Sequence, residues 1–567
     1  GRKHGRNLPG CSVRSKNKRI AAFGGKSFSG AEAQKLCAYG FYDERGGRDI
    51  LPGSEYFTGN DADFPASAGG EGEGNGFRTA LRKDYGIGFG KQIKNECSVE
   101  MGRNRMRYLT LKNIAKICKG TLYNYYPEED REVSGVTLDS RQAGENDLFI
   151  ATKGERVNGH DFIPQVFEKG AAGVICEREP KDEAGVYILV KDSFQALKDL
   201  ARFYRQILGV TVVGVTGSVG KTSTKEFIAS VLATKYKVLK TEGNFNNEIG
   251  LPLTILKIRE EHEVAVVEMG ISDFGEMHRL SEIAKPDICV LTNIGQCHLE
   301  NLKSREGILK AKSEIFDFMN EDGAVCINGD DDMLRTLEEV KGRKPLTFGI
   351  GQDHMVYAEG IENRGLEGSL ARIHIGKEIL DAKIPLPGEH MVYNALAAAC
   401  VGSLMELKGE EILQGIMAVK PVDGRSNRIQ AGDKTLIDDC YNANPVSMRA
   451  ALDLLASAAT RKVAVLGDMF ELGEKEREMH RQTGAYAAEC GIDAVICIGN
   501  LARDMYEGAL GSERNEDASG PEIYYFPDKE QFLEQQGNII KAGDTVLVKA
   551  SHGMAFEEIV KALKESS

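Results

Sequence analysis

Val210-Thr211-Val212-Val213-Gly214-Val215-Thr216-Gly217-Ser218-Val219-Gly220-Lys221-Thr222 carries the pattern that decides the fold. Val210–Val215 is a β-branched run of the kind that forms a buried strand. From Lys221 to Thr234 the period changes, and Phe227, Ile228, Val231 and Leu232 fall on one helical face. Between strand and helix, glycines let backbone N–H groups turn toward a polyphosphate, and the helix N-terminus adds partial positive charge. Lys221 is placed to reach terminal phosphates, and the Thr222 hydroxyl to ligate Mg²⁺. The loop departs from the strict GxxxxGK[ST] pattern because Val215 stands where its first glycine belongs. Strand, glycines, Lys-Thr and amphipathic helix still agree on nucleotide binding. Gly217, Ser218, Val219, Gly220, Lys221, Thr222 and Ser223 are the expected contacts. No NKxD-like guanine-reading string follows a later strand, which favours ATP over GTP.

Outward from this loop the alternation continues. Val264–Val267 and Ile288–Leu291 read as further buried strands, and Ser304–Met319 as a helix. On the N-terminal side, a helical pattern through Leu111, Ile114, Ala115 and Cys118 precedes short strands near Val133–Leu138, Asp147–Ala151 and Gly173–Cys176. On the C-terminal side, strands are expected at Thr435–Asp438, Lys462–Leu466, Ala494–Ile498 and Thr545–Val548. Strands alternating with helices imply mostly parallel sheets covered on both faces. The expected division is three α/β domains, at 106–205, 206–420 and 421–567. Residues 1–105 hold 20 glycines and no sustained period of 2 or 3.6. They read as a disordered or non-native leader, and no function is drawn from them.

With 567 residues, the chain exceeds what one hydrophobic core serves. A formal net charge of −13 argues against a nucleic-acid partner, since phosphate contacts need a basic surface. The 12 cysteines are scattered without a CxxC pair and read as reduced core residues of a cytoplasmic protein. No apolar run approaches the length of about 20 residues that spans a bilayer.

In open parallel sheets, ligands gather at the carboxyl ends of strands. Glu268 closes one predicted strand there; Asn293 follows another, with His298 shortly after. A carboxylate and an imidazole near a triphosphate are plausible Mg²⁺ ligands, although Mg²⁺ prefers oxygen. Taken alone, His298 reads as structural. Lys312, on the helix after it, reads from spacing alone as a solvated surface charge.

From Met106 onward, the chain resembles the Mur ligase family of peptidoglycan synthesis. The resemblance is carried by Ser140-Arg141, Gly159-His160-Asp161, the phosphate loop, Gly243-Asn244-Phe245-Asn246-Asn247-Glu248-Ile249-Gly250 and Thr292-Asn293-Ile294-Gly295 with His298-Leu299-Glu300. It continues through Gly388-Glu389-His390, Asn394-Ala395, Asp439-Cys440-Tyr441-Asn442-Ala443-Asn444-Pro445 and Leu466-Gly467-Asp468-Met469. It implies an N-terminal UDP-sugar-binding domain, a central P-loop ATPase domain with a mostly parallel sheet, and a C-terminal Rossmann-like domain.

The implied reaction is ATP-dependent ligation through an acyl phosphate. The Tyr441–Pro445 string points to the branch that adds D-alanyl-D-alanine to a UDP-N-acetylmuramoyl-tripeptide. The same resemblance gives Lys221, Glu268, His298, Lys312 and Arg425 catalytic parts, with Lys312 a carbamylated ligand of a second Mg²⁺. Asn293, Asn394, Arg425 and Asp439 are implied ATP contacts, the two asparagines on the adenine side. Ser140, Arg141, His160, Asn246, Asn247, Tyr441, Asn442 and Asn444 are implied substrate contacts, although Asn442, Asn444 and Pro445 can also be read as the N-terminal turn of a helix, where Pro is favoured. A monomer is expected. The chain departs from the family at Ala550 and His552, where Lys-Gly-Ser-Arg is usual and an imidazole cannot replace the arginine fork. Another Mur-type or folylpolyglutamate-synthetase-like ligase, and an inactive nucleotide-binding regulatory module, are the competing readings.

Overall fold

The computed structural model describes residues 105–154, 157–180, 184–512 and 520–566. The expectation for residues 1–105 therefore lies outside the described residues except at Arg105. Three sheets organise the rest.

The first sheet has five short strands: β1 (Thr121–Tyr123), β2 (Val136–Thr137), β3 (Leu148–Ile150), β4 (Gly173–Cys176) and β5 (Tyr187–Leu189). Their order is β1-β5-β4-β3-β2, parallel except where β1 runs against β5. The helix Ser193–Ile207 leads out of it, capped by Asp192, whose carboxylate accepts the N–H groups of Phe194 and Gln195. At its far end the buried Tyr204 donates to the Ile258 carbonyl at 2.8 Å, tying this helix to the next sheet's layer.

The second sheet has nine strands. They are β6 (Thr211–Thr216), β7 (Val238–Lys240), β8 (Val264–Glu268), β9 (Ile288–Leu291), β10 (Ala324–Asn328), β11 (Leu346–Ile350), β12 (Val356–Asn363), β13 (Ser369–Ile375) and β14 (Glu378–Ile384). The order is β14-β13-β12-β11-β10-β9-β6-β8-β7, parallel from β7 through β12. Burial on both faces explains the continuous apolar runs of β6, β8 and β9. Val213 and Val215 face a core with Phe227, Ile228 and Val231, while Val212 faces the opposite core with Leu251 and Leu280. Each such side chain contributes roughly 1.5–3 kcal/mol by leaving water.

The antiparallel extension β12-β13-β14 escapes a reading based on continuous runs. Its strands alternate buried and exposed positions, as in Ser369–Ile375, because they sit toward the sheet's edge. The expected helix Ser304–Met319 is also shorter. It runs Arg305–Ser313 and tightens into a 3₁₀ turn at Glu314–Phe316, where the Ser281 hydroxyl takes the Ile315 carbonyl.

The third sheet comprises β15 (Asn427–Ala431), β16 (Lys434–Asp438), β17 (Lys462–Gly467), β18 (Ala494–Ile498), β19 (Glu522–Phe526) and β20 (Thr545–Lys549), in the order β15-β16-β20-β17-β18-β19. Only the β15-β16 pair is antiparallel. Separate apolar clusters cover its two faces. The nine described cysteines are free thiols, eight of them buried. No described helix is long and apolar enough to cross a membrane.

Candidate active site

The loop after β6 is shaped by two glycines in conformations that other residues avoid, Gly217 at φ 152° and Gly220 at φ 79°. Gly220 caps the helix Lys221–Leu232, so Thr222 and Ser223 occupy its first turn. The segment after β9 laces this loop in place. Asn293 accepts the Val219 N–H at 3.0 Å and donates to the Val219 carbonyl at 3.1 Å, while Thr292 donates to that same carbonyl at 2.7 Å. Ser218 accepts the Gly295 N–H at 2.9 Å. Asn293, expected to contact adenine, thus spends its carboxamide on the loop backbone. A Cβ at Gly217 would meet Thr292 Oγ1 at 1.9 Å and Asn293 N at 3.2 Å. Gly217→Ala is therefore expected to pull the two strand ends apart and weaken nucleotide affinity about tenfold, measured by titration of ADP or ATP into the folded variant.

Lys221 donates to the Gly217 and Ser218 carbonyls at 2.9 and 3.4 Å, across the mouth of the loop. Burial lowers its pKa, Glu268 opposes that shift, and Arg425 adds to it. Glu268, at the end of β8, is buried with both oxygens engaged: Thr222 donates to one at 2.9 Å and Asn246 to the other at 2.8 Å. Asn247 instead caps the helix Gly250–Leu256 through the N–H groups of Ile249 and Gly250.

Lys312 contradicts its reading as a surface charge. It is 1% exposed, beside Ile308 and Ala311 on the buried face of its helix. No described residue accepts a hydrogen bond from its ammonium. Burial lowers its pKa to about 8, with Lys221 adding to the shift and Cys297 opposing it. Spacing held that signal, since 308, 311 and 312 are neighbours on one helical stripe. Cys297, which opposes the lowering at both Lys221 and Lys312, was not anticipated as part of the site. His298 sits at φ 51°, its Nδ1 2.6 Å from a carboxylate oxygen of Glu471, another residue the sequence did not single out.

On the helix His390–Leu404, the buried Asn394 accepts from Thr224 at 2.8 Å, close to Gly220. Burial lowers the pKa of His390, at that helix's start, against the opposing field of Asp439. Asp439 forms a buried 2.6 Å ion pair with Lys549 and accepts the Ser426 N–H at 2.9 Å. Lys549 also donates to the Asn442 carbonyl at 2.9 Å. Arg425 lies 3.8 Å over the Tyr441 ring, and burial raises the pKa of the Tyr441 hydroxyl against the opposing field of Arg425. His552 also packs against Tyr441, the two ring centroids 5.2 Å apart. The departure at Ala550 is a packing one, as this residue is fully buried facing Gly467. Asn444 is the N-cap of the helix Pro445–Ala456, accepting from Ser447 at 2.9 Å.

Ser140, Arg141 and His160 belong to the first sheet's loops, where none of their described contacts is with the phosphate loop. The Ser140 carbonyl receives Lys169 at 2.8 Å. Arg141 forks onto Asp139 and holds that carboxyl down at about 2. His160 uses both ring nitrogens, Nδ1 toward Asn158 at 2.9 Å and Nε2 accepting the Glu177 N–H at 2.9 Å.

The loop, Glu268 and Lys312 thus come from the second sheet's layer and Arg425 from the third, with Lys221 in the electrostatic field of Glu268 and Arg425 and Lys312 in that of Lys221. Among the described residues, no three His, Cys, Asp or Glu side chains form a metal cage by themselves.

Comparison with known proteins gives three family matches along the chain. They are "Mur ligase family, catalytic domain" at 132–205, "Mur ligase middle domain" at 215–402 and "Mur ligase, glutamate ligase domain" at 424–552. The UDP-N-acetylmuramoyl-tripeptide–D-alanyl-D-alanine ligase of Bacillus subtilis (strain 168) is 41% identical over 464 residues, 81% of this chain and 98% of that protein. A crystal structure of MurF from Acinetobacter baumannii superposes with a TM-score of 0.73 at 32% identity, covering 80% of this chain and 98% of its own. MurF ligase from Thermotoga maritima in complex with ADP gives 0.66 at 31% identity, covering 76% and 97%.

Proposed function

This chain belongs to the Mur ligase family, and from that premise we propose how its residues join D-alanyl-D-alanine to a UDP-N-acetylmuramoyl-tripeptide at the expense of ATP. The observation that carries the reading is the phosphate loop, with Lys221, Thr222 and Glu268 converging at the end of β6 and β8. The relatives' printed names supply the two substrates. We assign residues 106–205 to the sugar nucleotide, 206–420 to ATP and 421–567 to the acceptor dipeptide. The setting is cytoplasmic and the working unit a monomer.

A carboxylate oxygen of the tripeptide attacks the γ-phosphorus, and ADP leaves. The amine of D-alanyl-D-alanine then attacks the acyl-phosphate carbonyl, inorganic phosphate departs with the bonding pair, and the amine loses a proton. Lys221 from the loop and Arg425 from the third sheet flank the phosphoryl oxygens, where charge concentrates in the transition state. Tyr441 holds Arg425 by its ring face. Closure of the third sheet's loops over the cleft excludes water, which would hydrolyse the acyl phosphate.

The donor set fits magnesium. Thr222 Oγ1 and Glu268 Oε2 are buried 2.9 Å apart at the phosphate loop, and a carbamylated Lys312 would add oxygens. Thr222, Glu268, His298 and Lys312 are the residues we assign to two such ions, which when bound neutralise phosphate charge.

The test is release of inorganic phosphate from ATP in the presence of the UDP-tripeptide, D-alanyl-D-alanine, both or neither. Release that requires both is expected. Equal release with D-alanine or L-amino acids as acceptor would move the chain to another branch of the family.

A further inference from the structure

Ligands of a parallel sheet gather at the carboxyl ends of its strands. In the third sheet, the segments that leave β16, β17 and β20 are 439–444, 468–472 and 550–555, and they hold one basic side chain, His552. Lys549, the last residue of β20, is buried, and its charge is spent on Asp439 at 2.6 Å and on the Asn442 carbonyl at 2.9 Å. His552 is half-buried, and its ring meets Tyr441 while its nitrogens make no hydrogen bond among the described residues. The loop beneath it is fixed. Ser551 is buried, its N–H donating to the Asp468 carbonyl at 3.0 Å and its hydroxyl accepting the Phe470 N–H at 2.9 Å. Tyr441 carries Arg425 over its ring and lies in the electrostatic field of Glu268. The imidazole therefore stands where the second and third sheets meet, one aromatic ring removed from the groups assigned to phosphoryl transfer.

The acceptor must present a neutral amine to attack the acyl phosphate, so D-alanyl-D-alanine reacts as a monoanion. Its carboxylate needs a donor of its own. Lys221 and Arg425 face the phosphoryl oxygens, and Lys549 is neutralised by Asp439. A carboxylate left without a partner beside phosphate carries both a desolvation cost and like-charge repulsion. We propose that His552 determines specificity for the acceptor, a ring N–H donating to the C-terminal carboxylate of the dipeptide. The inference rests on the reading of the third sheet as the acceptor's side. A single imidazole N–H does not reproduce the fork of the arginine usual at this position. It selects an acceptor with a free carboxylate, and grips it through one bond instead of two.

Phosphate release by the full chain is followed at saturating ATP and UDP-tripeptide and at one pH, with D-alanyl-D-alanine or its C-terminal amide as acceptor. The parent chain is expected to show a KM about tenfold higher for the amide. His552→Phe keeps a ring against Tyr441 and removes both nitrogens. It should raise the KM for the dipeptide about tenfold, with a much smaller change in kcat, and leave the KM for the amide near its parent value. His552→Ala should do the same to the dipeptide. His552→Arg should restore the low KM for the dipeptide and still discriminate against the amide. ADP titration into each variant checks that the second sheet's site is intact. Discrimination retained in both His552→Phe and His552→Ala would place the carboxylate elsewhere and overturn the inference. Equal rises in KM for the two acceptors would leave His552 only a packing part against Tyr441, and overturn it as well. If the parent chain releases no phosphate with D-alanyl-D-alanine, the reading of the third sheet fails first and takes this inference with it.

Discussion

Lys221→Ala is expected to abolish dipeptide-dependent phosphate release, lowering kcat by about 10³-fold with a much smaller change in nucleotide affinity. The loop's backbone N–H groups and the helix N-terminus bind phosphates whether or not the side chain is present. The ammonium does something they cannot. It lies across the mouth of the loop, 2.9 Å from the Gly217 carbonyl, where charge on the γ-phosphoryl oxygens rises as the bond to ADP lengthens. An interaction stronger in the transition state than in the ground state acts on kcat and leaves binding largely unaltered. Lys221→Arg should not restore the rate. A planar fork cannot occupy the position of a compact ammonium framed by the Gly217 and Ser218 carbonyls. Steady-state phosphate release and ADP affinity, measured on the same preparations, separate the two effects. Turnover of Lys221→Ala near that of the parent chain would refute the assignment of this loop.

The elements around that lysine were legible because each obeys a local rule. Buried parallel strands such as β6, β8 and β9 must be apolar throughout, and a helix on a sheet must carry one apolar stripe. The hairpin β13-β14 was not legible by the same rule, since its strands interrupt their buried positions with open ones instead of burying an unbroken run. Among site residues, the loop and Glu268 were visible at strand ends. Glu471 was not, because its meaning lies in a partner 173 positions earlier in the chain that only folding brings to 2.6 Å. Asn444 shows the opposite case: Pro445 after it announced a helix N-terminus, and a cap is what the structure gives it. Asn293 and Asn394 were singled out as adenine contacts. Their observed bonds to Val219 in the phosphate loop and to Thr224 on the helix after it tie both side chains to the phosphate-binding segment.

Lys312→Met is expected to lose about 10²–10³-fold in kcat, which a solvated surface lysine would not. A side chain 1% exposed, whose ammonium finds no hydrogen-bond acceptor among the described residues, carries a desolvation cost that no described hydrogen bond offsets. Lys221 nearby worsens the cost by like-charge repulsion. Carbamylation resolves both. The neutral amine attacks the carbon of CO₂, a proton leaves, and a monoanion replaces the cation facing Lys221. Burial aids that step by lowering the pKa from 10.5 to about 8. At pH 7 the reactive neutral fraction is then about 300 times that of an ordinary lysine. The sign is definite: the amine is protonated and inert well below pH 8, and the rate of modification rises with pH until the amine is mostly neutral above it. Intact mass in bicarbonate buffer should show one added carboxylate on the parent chain and none attributable to this site in Lys312→Met. Protein stripped of CO₂ at mildly acidic pH should start slowly and recover on addition of bicarbonate, faster at pH 8 than at pH 6.5. Full activity of Lys312→Met, or activity indifferent to bicarbonate after stripping, would return Lys312 to a structural role.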